Sequence, residues 1–122
     1  MIDGKFAEAI IDYEAAVRVD PRYAPAFDGL AWLRATCMVA EFRDGVKAVE
    51  QATKASELTN WKKANYVGTL AAAYAETGDF DSAVKRQKEA IDLLTGEEEE
   101  LRGDFEERLR LYQSGKPCRE SP

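Results

Sequence analysis

Three pairs of alanines, Ala9 with Ala16, Ala48 with Ala55 and Ala83 with Ala90, recur along this chain of 122 residues, the members of each pair seven residues apart. Seven residues make close to two turns of α-helix, so both alanines of a pair lie on one helix face. A side chain larger than methyl there would push a neighbouring helix away, which marks these faces as seams of close backbone approach. The agreement extends around the pairs. Gly4 to Pro21, Asp44 to Leu58 and Asp79 to Leu93 repeat the same small and apolar positions, offset first by 39 residues and then by 35. A chain with such internal repeats is confined to architectures in which one helical unit stacks on copies of itself.

The clearest unit runs from Ala64 to Thr95. Val67, Leu70, Ala71 and Tyr74 recur at i, i+3, i+4 and i+7, one face of a helix. Thr77-Gly78-Asp79 breaks that pattern, and Asp79 is placed to cap the next helix. Phe80, Ala83, Val84, Ala90, Ile91 and Leu94 then form a second apolar stripe, interrupted by Gln87 alone. Such a pair cannot bury its apolar face without neighbours. Upstream, Lys5 to Val19 reads as a helix carrying Phe6, Ala9, Ile10, Tyr13, Ala16 and Val17 on one side and ending at Asp20-Pro21. Ala24 to Cys37 is the next, with Pro25 in its first turn, where a missing amide hydrogen does no harm. Its inward residues are Phe27, Leu30, Ala31 and Arg34, the last expected to run its aliphatic stem outward to solvent. Residues 38–42 are an apolar insertion expected to pack on the helix pair, and Asp44 caps a helix ending near Leu58. In the connector Asn60 to Lys63, Trp61 either plugs the gap between units or stands at a binding surface. Glu97 to Glu100 lead into a final helix reaching Ser114, with Gly115 as its C-cap. Glu98 with Arg102, Asp104 with Arg108 and Glu106 with Arg110 have i,i+4 spacing for ion pairs. Leu101, Phe105, Leu109 and Tyr112 give this helix the narrow apolar stripe of a cap.

These residues resemble the tetratricopeptide-repeat family, whose unit of about 34 residues carries a small residue and then an aromatic in its first helix, alanines in its second, and often a closing proline. Leu70, Ala71, Tyr74, Ala83 and Ala90 fill those places in the last unit, and Phe6, Ala9, Tyr13, Ala16 and Pro21 fill them in the first. The resemblance covers residues 4 to 95. It implies an all-α fold: a right-handed superhelix of antiparallel helix pairs, an α-solenoid, with six helices. In that frame residues 1–23 are a half repeat, 24–60 a repeat with a turn insertion at 38–42, 61–95 a full repeat, and 96–122 a capping helix and tail. The first helix of the first repeat is missing, so the stripe of Phe6, Ile10 and Tyr13 needs cover. That cover comes from upstream sequence of a longer protein, from a second copy of the chain, or from other local packing.

In that family the first helix of each pair lines a concave groove that holds a partner peptide. The corresponding residues are Pro25, Asp28, Trp32, Ala35 and Thr36 in one unit, and Asn65, Gly68, Ala72, Ala75 and Glu76 in the next. Trp32 is the candidate anchor, an aromatic platform beside small residues; the competing reading packs it under the insertion at 38–42. A subgroup grips C-terminal carboxylates with Lys and Asn at these places. Asp28, Trp32, Gly68 and Ala72 stand there instead, with Gly29 and Thr69 beside them, so that activity is not expected. The function implied is a non-catalytic scaffold that binds a protein or peptide partner, whose identity the sequence does not give. The alternative is a self-assembling repeat protein, a homodimer or larger, joined through Phe6, Ile10 and Tyr13 on helix 5–19.

Charge and residue types narrow the rest. A net charge of −6 argues against nucleic acid, whose phosphates call for a dominant basic stripe. No apolar run approaches the roughly 20 residues of a membrane span, and the N-terminal residues lack the pattern of a secretion signal, so a cytoplasmic protein with no membrane partner is expected. With no histidine, no nucleophile paired to a base and no phosphate-binding glycine loop, neither catalysis, a cofactor nor a metal site is expected. Cys37 and Cys118 are too few for a disulfide framework. Cys37 is read as an idle buried thiol, and Cys118, in the tail, as an exposed one prone to oxidation.

Overall fold

The computed structural model describes residues 2–120. They form six α-helices: α1 Ile2–Val19, α2 Ala24–Thr36, α3 Gly45–Leu58, α4 Ala64–Thr77, α5 Phe80–Leu93 and α6 Arg102–Gln113. Short 3-10 segments at Ala40–Phe42 and Gly96–Leu101 join them, and no strand occurs among the described residues. Breaks fall where local chemistry puts them. The Asp44 carboxylate accepts the Lys47 amide hydrogen at 3.1 Å, and Asp79 accepts that of Ser82 at the same distance, each satisfying an amide that the first helical turn leaves unbonded. Gly78 ends α4 at φ 87°, a left-handed conformation that only glycine adopts without cost.

The helices pack mainly on near neighbours in the chain: α2 on α3, α4 on α5, α3 and α2 on α4, α1 on α2, and α6 on α5. Ala35 shares a buried cluster with Ala48, whereas Ala31, one turn earlier in α2, clusters with Ala52, one turn later in α3, so the two helices run antiparallel. The alanine seams are closed where a helix has neighbours to press on. Ala48, Ala55, Ala83 and Ala90 are fully buried, while Ala9 and Ala16 of α1 are half-buried. Gly29 of α2 serves the same end. A Cβ there would lie 2.5 Å from Cζ of Tyr13, so the tyrosine ring rests flush on the α2 backbone. Gly29→Ala is accordingly expected to destabilise the protein by about 1–3 kcal/mol by wedging α1 from α2, measured as a lower urea midpoint. An unchanged midpoint would mean that Tyr13 swings aside freely.

Several expectations are corrected by this packing. The glutamates at 97–100 lie in the 3-10 segment, not in the final helix; the Glu98 carboxylate turns back to accept the Thr95 amide and hydroxyl hydrogens at 3.3 and 3.1 Å. The ion pair formed there is Glu99 with Arg102 at 2.6 Å, in place of the i,i+4 pairs. Arg34 does not reach for solvent. It is buried because α1 lies over it, and Nη2 donates to Glu14 Oε2 at 3.1 Å. Trp61 is not a buried plug: Asn60 and Trp61 both adopt positive φ, and the ring is left exposed with the Arg86 guanidinium 5.1 Å from its centre. Gln87, the polar break in the α5 stripe, is fully buried and donates through Nε2 to the Phe105 carbonyl at 2.8 Å, pinning α6 to α5.

Candidate functional site

The residues singled out on α2 and α4 fall into two groups. Ala35, Thr36, Gly68, Ala72 and Ala75 are buried and face no open groove. What covers them is the chain itself. The Phe105 ring of α6 sits over Gly68, where an added Cβ would meet Cε2 at 3.4 Å, and Tyr112 and Cys118 share one buried cluster with Ala35, Ala72 and Ala75. The tail after α6 runs on to the end of α2: the Glu120 amide donates to the Thr36 carbonyl at 2.9 Å, one of the acceptors that the last helical turn leaves unbonded. Arg119 reaches Glu76 at 2.8 Å, off the line a hydrogen bond requires, and Glu76 also faces Arg43 at 3.4 Å. Cys118 is therefore not the exposed thiol expected of a tail. It is 8% exposed, and burial pushes its thiol up, away from the reactive thiolate.

Pro25, Asp28, Trp32, Asn65 and Glu76 retain access to solvent, Pro25 and Asn65 on the exterior and the other three half-buried. Trp32 is half-buried and packs against the cluster of Ala35, Ala72 and Tyr112. Its indole Nε1 donates to Glu120 Oε2 at 3.0 Å, and the Arg108 guanidinium lies 5.0 Å from its ring centre. The aromatic ring is held by the tail and α6 from one side and faces a cavity of about 620 Å³ that it shares with α1. Phe6, Ala9 and Tyr13 from α1, and Asp28, Leu33 and Met38 from α2 and the turn beyond it, complete the apolar wall and its carboxylate. Two candidate sets that the sequence kept apart, Trp32 with Asp28 and Phe6 with Tyr13, thus line one space. Phe6 and Tyr13 also find local packing, on Phe42 with ring centres 5.9 Å apart and on Gly29; Ile10 is half-buried.

Asp28 sets the electrostatics of this cavity. Burial pushes its carboxyl up to about 6. Asp28 Oδ1 is enclosed by protein atoms, and the Thr69 hydroxyl close to this carboxylate donates its hydrogen to the Asn65 carbonyl at 2.9 Å instead. Glu120 brings a second carboxylate to the cavity, and Lys5 lies at its rim, exposed and in no ion pair among the described residues. Glu120 carries no sequence signal, since residues 116–120 have no periodicity to show which face they meet. No group of three or more Cys, Asp or Glu side chains is arranged to hold a metal ion among the described residues, and no helix is long and apolar enough to cross a membrane. Compared with protein-family models and with curated protein sequences, the chain matches none at a significant level.

Proposed function

We propose that this chain is a protein-interaction module of the tetratricopeptide-repeat kind, a right-handed stack of helix pairs that binds a segment of a partner protein and carries out no chemistry. The observation that supports the reading is the cavity of about 620 Å³ whose walls bring Trp32 and Asp28 of α2 against Phe6 and Tyr13 of α1. Its size suits a few side chains of a peptide, and an aromatic platform beside one desolvated carboxylate is the make-up of a recognition pocket. In this reading the partner sits beside the groove expected of that family, since Tyr112 of α6 and Cys118 of the tail cover Ala35, Ala72 and Ala75. A cytoplasmic setting belongs to the same reading.

Selection of peptides from a random display library against the folded protein tests it. The selected peptides are expected to lose about tenfold or more in affinity to Phe6→Ala and to Trp32→Ala, at unchanged helical circular dichroism. A selection that enriches no sequence, or peptides indifferent to both substitutions, would remove the cavity as the binding site. The alternative, self-assembly through Phe6, Ile10 and Tyr13, predicts a concentration-dependent molar mass in light scattering that is lost in Phe6→Asp.

A further inference from the structure

The ligand class of this cavity is written in its polar groups. Resting on the interaction reading above, we propose that the cavity is specific for a lysine side chain of an extended partner peptide, seated with its stem along Phe6, Leu33 and Met38 and its ammonium against Asp28.

Three observations converge on that occupant. The first is an uncompensated carboxylate. Asp28 lines the cavity from α2 and forms no ion pair among the described residues, Lys5 at the rim included. A carboxylate drawn out of water without a counter-charge costs free energy that an arriving cationic donor recovers. With its carboxyl at about 6, Asp28 still carries its charge at pH 7.5. The second is the wall. Phe6, Tyr13 and Trp32 are aromatic, and rings of this kind attract a cation over their faces. The chain already uses Trp32 in this way, for Arg108 sits 5.0 Å from its ring centre. Arg108 lines a separate, smaller cavity of about 390 Å³, and Trp32 and Glu120, joined by their hydrogen bond, line both. The third is charge. Glu120 adds a second carboxylate to the lining, and the whole chain carries −6, which favours the approach of a basic segment.

Lysine fits better than arginine. Its four-carbon stem matches a mostly apolar wall, and its compact ammonium is a point charge suited to a single carboxylate. A guanidinium presents five donors in a planar fork and would bring more of them than the cavity has acceptors for.

The test uses the whole chain at pH 7.5 and two capped nonapeptide libraries with randomised flanks, one with lysine fixed at the centre and one with norleucine, which keeps the stem and removes the charge. Binding of the lysine library at least tenfold stronger than the norleucine library, with the preference abolished by Asp28→Asn, is the expected result. Equal binding of both libraries, lost in Trp32→Ala, would overturn lysine specificity and leave the interaction reading standing. Binding of neither would overturn both. Asp28→Asn keeps the shape of the site, and its helical circular dichroism and urea midpoint show that it folds; a preference for lysine that survives in this variant would refute the role given to Asp28.

Discussion

Tyr112→Ala is expected to lower the stability of this protein by about 3–5 kcal/mol, the range for emptying a buried aromatic site. Tyr112 is the largest fully buried side chain, and it joins α6 to the alanines of α2 and α4 while Cys118 of the tail packs in the same cluster. A protein of this size has roughly 5–15 kcal/mol in all, so one substitution removes a large share. Its companion variant separates ring from hydroxyl. The Tyr112 hydroxyl is buried with no hydrogen-bond partner, and burial raises its ionisation far above the usual range for tyrosine. Tyr112→Phe deletes only that unsatisfied group and is expected to leave stability unchanged or raise it by up to about 1 kcal/mol. Both are read from urea denaturation midpoints with m-values compared. A loss below about 1 kcal/mol in the alanine variant would show that α6 and the tail are not held against the helices through this ring.

The second large effect is a dependence on pH with an unusual sign. Asp28 titrates near 6 in the folded protein and near 3.8 when the chain is unfolded. Between those values the folded state binds more protons than the unfolded one, so stability falls as pH rises. The stability tied to this group is present below about pH 4 and lost as pH passes 6. The gap between the two values corresponds to about 3 kcal/mol, an upper figure for a residue that is only half-buried. Asp28→Asn is expected to remove this slope and to be the more stable protein at pH 7. Asp79 and Glu99, which are held below the ordinary carboxylate range by hydrogen bonds from Ser82 and Arg102, act in the opposite direction. Their contribution cancels in the difference between wild type and variant. Parallel denaturation curves at pH 4, 5, 6 and 7 give that difference directly, and a constant value across the series would mean that Asp28 is well solvated.

Much of the helical framework is legible in the residues, because its determinants are local. Asp44 and Asp79 cap α3 and α5 as their positions suggest, Gly78 closes α4, and α2 to α5 begin and end within a residue or two of their expected limits. The buried alanines of α3 and α5 follow from spacing alone. The illegible part depends on contacts between distant residues. Nothing in Lys116-Pro117-Cys118-Arg119-Glu120 announces that it lies on α2, since an irregular segment has no face to read. For the same reason the expected groove residues Ala35 and Ala72 are covered, and Cys118 with them. Arg34 and Gln87 show the other limit. Each breaks an apolar stripe, and its partner, the Glu14 carboxylate or the Phe105 carbonyl, lies on another helix. The merging of Trp32, Asp28, Phe6 and Tyr13 into one cavity likewise depends on how α1 docks, which neither stripe encodes by itself.

The bond between Trp32 and Glu120 spans 88 residues of chain, whereas the helices otherwise meet mostly their near neighbours. An array held by neighbour contacts can fray from either end, each unit opening with little regard to the rest. Returning the tail to the second helix ties the last part of the chain to one of the earliest. The entropy of closing so long a loop grows only slowly with its length, so the added cost over a shorter closure is modest. In exchange, melting of the tail withdraws contacts from α2, and melting of α2 withdraws them from the tail.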